Sequence, residues 1–209
     1  MTRKVIGLGW LASAAVFGFF VATGARAADV NKIVEECAGC HGKDGASTES
    51  KVPIIGGVSA EYIKLSLVSY SKKEWPCPET EIKDGPKKGT KTDMCKEAKE
   101  LGGDDIKQVS QYFAGKKFIR AKQKFDPGMA KKGKEIHDVN CEKCHSNGGS
   151  VTSDDAGILA GQWMPYLEET FTQYSSGKRP IMEKKMKPKM EKLDKAGVDA
   201  LVNYYGSFQ

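Results

Sequence analysis

Shifted by 104 residues, the chain lies on itself. Cys37, Cys40 and His41 fall on Cys141, Cys144 and His145. Ile54 and Ile55 fall on Ile158 and Leu159, Gly57 on Gly161, Tyr62 on Tyr166, Ile63 on Leu167, Leu67 on Phe171 and Tyr70 on Tyr174. No gap is needed from Cys37 to Tyr70. Beyond that point the offset drops to 92. Met94 then meets Met186, Leu101 meets Leu193, and Ile106, Val109, Tyr112 and Phe113 meet Val198, Leu201, Tyr204 and Tyr205. The chain is two copies of one unit, and the first copy holds 12 extra residues between Tyr70 and Met94. A length of 209 residues suits two small domains of this size.

Each copy reads as three helical pieces, so the expected fold class is all-α. The first piece carries the Cys/His motif. The second runs about 60–70 and 165–174, with Tyr62, Ile63, Leu67 and Tyr70, or their matches, spaced as one helical stripe. The third runs about 104–114 and 197–207, with Ile106, Val109, Tyr112 and Phe113 on one face. These aromatics read as core packing. Strand signals are weak throughout. Residues 119–127 read as a linker, with a turn-like Phe125-Asp126-Pro127-Gly128. The expected units are residues 28–118, with an insertion at about 71–93, and residues 128–209.

The motif Cys37-Ala38-Gly39-Cys40-His41 recurs as Cys141-Glu142-Lys143-Cys144-His145. Both are C-x-x-C-H, the attachment pattern of c-type haem. Two intervening residues place both thiols for thioether bonds to one haem. The adjacent His supplies an axial imidazole nitrogen. A single C-x-x-C could be a redox dithiol or half a zinc site. Two copies, each followed by His, point to two covalent haems on Cys37, Cys40, Cys141 and Cys144. A domain of this size has a thin core alone, and a haem adds apolar surface to pack against.

The sixth iron ligands can be counted. The chain has three histidines, and the motifs use His41 and His145. Only His137 remains, so two bis-His haems are excluded. A Met thioether is the other common choice in electron carriers. After the leader the candidates are Met94, Met129, Met164, Met182, Met186 and Met190. Only Met94 falls in the first unit. The repeat selects Met186 for the second, with Met182 and Met190 as alternatives. His137, one turn before Cys141, is expected to be a surface histidine on the first helix of its unit.

Cys77 and Cys95 lie outside the motifs. Cys77 lies in or beside the insertion, and Cys95 follows Met94 directly. The expected role is a structural disulfide that pins the segment carrying the sixth ligand; a thiolate ligand or a redox-active pair are the alternatives. Lys87, Lys88, Lys91, Lys96 and Lys99 crowd Met94, and Lys184, Lys185, Lys187, Lys189 and Lys192 crowd Met186. Such runs are either solvated faces or a basic field that steers acidic redox partners.

The first 27 residues read as an export signal. Arg3 and Lys4 precede an apolar run from Val5 to Val21, and Ala25-Arg26-Ala27 fits a small-x-small cleavage site. The mature chain is expected to begin near Ala28 in the periplasm, with no membrane span after cleavage. Removing Arg3, Lys4 and Arg26 lowers the formal net charge from +6 to +3. That leaves no argument for nucleic acid as a partner.

On these residues the chain resembles the dihaem class I cytochromes c of the bacterial periplasm. Cys141-Glu142-Lys143-Cys144-His145, Ile158-Leu159-Ala160-Gly161-Gln162-Trp163, Pro165-Tyr166-Leu167, Arg179-Pro180 and Met182-Glu183-Lys184-Lys185-Met186 are similar to the cytochrome subunit of flavocytochrome c sulfide dehydrogenase. Phe125-Asp126 in the linker also fits. The resemblance is strong over about residues 119–190 and weaker before. It implies two tandem class I domains and axial ligands His41, Met94, His145 and Met186. It also implies that a flavoprotein subunit, with FAD on that partner, oxidises sulfide and passes electrons through this chain to a soluble acceptor such as a small cytochrome c. The chain would then be no enzyme by itself. A free dihaem carrier feeding a terminal oxidase, or the cytochrome subunit of another dehydrogenase, are the rival readings. In class I cytochromes a proline carbonyl often holds the ligating imidazole. Pro53 stands where that implies, and Gly157 replaces it in the second half. The insertion with Cys77 and Cys95 departs from the family pattern.

Overall fold

The computed structural model describes residues 1–2, 29–181 and 183–209. Beyond its first two residues the expected leader lies outside them, as does Met182. The order of the elements is α1 (Val30–His41), α2 (Ala60–Ser71), β1 (Thr80–Glu81), β2 (Lys91–Thr92), α3 (Met94–Lys99), α4 (Gly103–Ala114), α5 (Pro127–Asn140), a short α6 (Ser146–Gly149), α7 (Met164–Ser175), α8 (Lys187–Met190) and α9 (Lys195–Gly206). Helix starts follow local chemistry. Asp29, Ser59, Asp93, Asp126 and Asp194 each accept a hydrogen bond from a first-turn amide. Such caps satisfy donors that the helix leaves free. Pro127, whose missing N–H costs nothing there, opens α5.

Two apolar clusters follow the repeat. The first gathers Ile33, Ile63, Leu67, Ile106, Val109 and Phe113 from α1, α2 and α4. The second gathers Leu167, Phe171, Leu201, Val202 and Tyr205 from α7 and α9. Phe113 and Tyr205, matched by the repeat, are each 1% exposed. Burying a side chain of Phe size contributes about 1.5–3 kcal/mol. α5 packs tightly on α9 at Gly133, where a Cβ would collide with the Ala200 carbonyl.

Two elements differ from the sequence reading. The insertion forms a two-stranded antiparallel hairpin with Thr80 opposite Thr92, too short to leave a strand pattern. Gly85 and Gly89 turn it, with φ of 77° and 83°, a region open to glycine. The second attachment motif does not sit inside a helix as the first does. α5 ends at Asn140, because the His137 carbonyl accepts from both Cys141 and Glu142 amides at 2.8 and 3.0 Å. Cys141 to His145 then form a turn.

The two halves meet through matched loops, and Ile158 of the second half lies in the first apolar cluster. Gln162 bridges the buried Ile54 backbone, accepting from its N–H at 2.9 Å and donating to its carbonyl at 3.0 Å. Trp163 Nε1 donates to the Ser47 carbonyl at 3.0 Å, and Thr152 Oγ1 to that of Gly57 at 2.9 Å.

Candidate haem sites

The first site is built on the last turns of α1. His41 is 7% exposed. Its Nδ1 stands 2.9 Å from the Pro53 carbonyl. A carbonyl only accepts, so Nδ1 carries the hydrogen and Nε2 keeps its lone pair. Burial holds the ring pKa below its usual value, outweighing the Pro53 bond, so the imidazole stays neutral, the form that binds iron. Met94 opens α3 and borders the same apolar cluster as Cys37.

The second site repeats this plan with different neighbours. Burial again lowers the His145 pKa, and the Gly157 carbonyl is the backbone acceptor on that ring. Gly157 matches Pro53 in the repeat, so the partner that the sequence left open is the same backbone position. The bond is incomplete here: His145 Nδ1 has no partner at full hydrogen-bond geometry. Met186 precedes α8 and borders the second cluster together with Cys141. The alternative Met190 is buried inside that cluster.

The four motif thiols are unpaired, whereas Cys77 and Cys95 are bridged with Cα atoms 5.7 Å apart. Burial pushes the Cys37 thiol up to about 12, and it raises Cys40 and Cys141 as well. A redox dithiol or a zinc site needs easy thiolate formation. A neutral thioether suits this apolar setting better.

One further cluster tests whether the site fits a haem. Arg179 is 2% exposed and ion-pairs with no carboxylate among the described residues. Its guanidinium lies over Trp75 at 3.5 Å and over Tyr174 at 5.2 Å, and it reaches the Tyr62 hydroxyl at 3.4 Å. Arg179 Nε and Trp75 Nε1 are both buried without a partner. A buried cation without an anion costs several kcal/mol. The cluster draws Tyr62 and Trp75 from the first half and Tyr174 and Arg179 from the second, and its orphaned donors fit the acidic edge of a haem.

The insertion lies over the first motif. The Gly39 carbonyl accepts from the Lys83 and Asp84 amides at 2.8 and 3.1 Å. The matched Lys143 of the second motif is exposed, as is Cys144.

Two solved cytochromes c4 share this arrangement over most of the chain. The one from Pseudomonas stutzeri superposes with a TM-score of 0.68 at 22% identity, covering 87% of this chain and 99% of that one. The one from Acidithiobacillus ferrooxidans gives 0.65 at 22%, covering 82% and 98%. The fold is that of the dihaem class I cytochromes c.

Thiosulfate dehydrogenase from Marichromatium purpuratum contains a similar cytochrome fold, with a TM-score of 0.63 at 23% identity over 82% of this chain and 36% of that one. Residues 128–204 match the family model described as cytochrome C oxidase, cbb3-type, subunit III. Over 77 residues the chain is 38% identical to the cytochrome subunit of sulfide dehydrogenase from Chlorobaculum tepidum. That match covers 37% of this chain and spans about half, 56%, of the relative. These likenesses support covalently bound haem c.

The sequence reading missed two features. His137 is not a surface residue: it is wholly buried, bonded to Tyr205 and Glu142. Its spacing from Cys141 shows only that it lies on α5, whereas the face of α5 that packs on α9 is set by tertiary contact. The Arg179–Trp75 stack was also unseen, because Trp75 lies in the insertion, where the repeat offers no match.

Proposed function

We propose that this chain is an exported electron-transfer subunit with two haems c, one on Cys37 and Cys40, the other on Cys141 and Cys144. Each haem supplies a one-electron couple when bound. His41 and Met94 serve the first iron, His145 and Met186 the second. The Pro53 and Gly157 carbonyls orient the two imidazoles and raise their basicity. Met94 and Met186 favour the reduced irons. A His and a Met side chain would hold each iron and leave it closed to a substrate, so the substrate chemistry would belong to a partner.

That partner is a flavoprotein subunit, carrying FAD, that oxidises sulfide. Electrons leave this chain for a soluble acceptor such as a small cytochrome c in the periplasm. The observation that carries this reading is the 38% identity to the cytochrome subunit of sulfide dehydrogenase. Among the described residues no helix is long and apolar enough to cross a membrane. The likeness to cytochrome c4 over nearly the whole of that protein favours a second reading, a free dihaem carrier.

Reduction by sulfide separates the two. The purified cytochrome alone should be reduced slowly. Catalytic amounts of a sulfide-oxidising flavoprotein encoded beside it should accelerate reduction greatly. If no such flavoprotein binds it or speeds its reduction, the carrier reading stands.

A further inference from the structure

The two halves differ at three positions that the repeat superposes. The first half has Ile33, Ala38 and Phe113. The second has His137, Glu142 and Tyr205. Each difference replaces an apolar side chain with a titratable one, and the structure joins the three. His137 Nε2 lies 2.8 Å from Glu142 Oε2, and its Nδ1 lies 3.0 Å from the Tyr205 hydroxyl. Glu142 also accepts from the Asn147 amide at 2.9 Å and the Gly148 amide at 3.4 Å. Tyr205 reaches the Cys141 sulfur as well. The network therefore runs from a thioether cysteine, through a buried imidazole, to a carboxylate at the surface. Packing does not require it, because Ile33 and Phe113 fill the same crossing of helices in the first half.

One member, the His137 imidazole, has two ring nitrogens that can each carry a hydrogen, and both are hydrogen-bonded. The Asn147 amide and then the His137 ring hold the Glu142 carboxyl below its usual range, so it stays ionised. Burial pushes the Tyr205 hydroxyl well up, so it keeps its proton. Histidine is the side chain that titrates between about pH 5 and 8. A carboxylate only accepts, so Nε2 carries a hydrogen in both states. In the neutral ring Nδ1 accepts from the Tyr205 hydroxyl. When Nδ1 is protonated it donates instead, and the Tyr205 hydrogen turns toward Cys141 Sγ.

The surroundings hold few competing charges. Tyr204 of α9 faces the ring at 5.3 Å between centroids. Lys134 and Asp138 on α5 pair with each other at 2.6 Å. Lys189, whose charge acts on Cys141, reaches Asn140 at 3.4 Å. The charge of His137 acts on the His145 ring.

We propose that His137, Glu142 and Tyr205 form a proton-binding site coupled to the second haem. With a haem held at the second motif, uptake of one electron there would be accompanied by uptake of one proton from solvent, past Glu142, onto His137 Nδ1. The first haem has no such site and takes its electron alone. Reduction removes one unit of positive charge near His137, so the imidazole binds its proton more tightly. By linkage, the bound proton raises the potential of the second haem. This rests on the reading that both motifs carry haem.

The test is a redox titration of the holoprotein across about pH 5 to 8, with the two haems resolved as two components. The second-haem potential should fall as pH rises, toward about 59 mV for each tenfold drop in proton concentration. The first haem is the internal control, since it has the same propionates. Restoring the first-half set with His137→Ile, Glu142→Ala and Tyr205→Phe should reduce the slope to that of the first haem. His137→Gln, which keeps a polar filler, should do the same if the triple variant does not fold. Equal slopes in the wild type, or an unchanged slope in His137→Gln, overturn the proposal. The haem count on the same sample by denaturing mass spectrometry keeps the two readings apart. A single haem overturns the reading beneath it; two haems with equal slopes overturn this proposal alone.

Discussion

The Arg179 guanidinium stacks on the Trp75 ring at 3.5 Å, one residue from each half of the repeat, and both are buried. Neither has all its donors satisfied by protein. The pair therefore holds the seam between the halves and presents donors to an anion there. Arg179→Gln removes both the charge and the stack. A desolvated cation–π contact contributes about 2 kcal/mol, so the holoprotein should lose about that much stability. Unfolding in guanidinium chloride, followed by haem absorbance, measures it; an unshifted midpoint would show that the stack contributes nothing.

Gln162 satisfies both backbone groups of Ile54 across the seam. Ile54 is 2% exposed and Gln162 3%. Gln162→Ala strands a buried donor and a buried acceptor, at about 1–3 kcal/mol each. The two halves should then unfold less cooperatively, seen as separated transitions of the two haems in calorimetry.

Met186→Ala should remove about half of the far-red charge-transfer band that marks Met-ligated ferric haem. Met190→Ala should leave the band whole and cost about 2–5 kcal/mol as a core truncation, since Met190 is buried in the second cluster. The opposite pattern would move the ligand to Met190.

Cys95→Ala opens the loop from Cys77, where the sequence separation is 18. Such a loop stabilises by about 3 kcal/mol in the chain-entropy picture. Cys95 adjoins Met94, so the far-red band of the first haem should weaken as well. Peptide mapping without reduction should find Cys77 linked to Cys95.

Denaturing mass spectrometry should find two haem masses retained on a chain that starts near Ala28. Haem that extracts into acid acetone would contradict thioether attachment.

The repeat, the paired C-x-x-C-H motifs and the helical stripes were all legible in the order of residues, because each rests on local spacing. Two thiols and an imidazole meet one haem only at that separation, and an apolar face needs only the period of its helix. The cap residues Asp29, Ser59 and Asp126 are local in the same sense. The burial of His137, the bridge from Gln162 to Ile54 and the stack of Arg179 on Trp75 depended on tertiary structure. Each joins or covers groups 68 to 108 positions apart (Arg179 and Trp75 lie 104 apart). At such separations the sequence offers a residue type and no partner. Whether a histidine faces water or a tyrosine is decided by the helix that packs against it, and that choice comes from burying the whole apolar face of α9 against α5 rather than from any property of His137 itself.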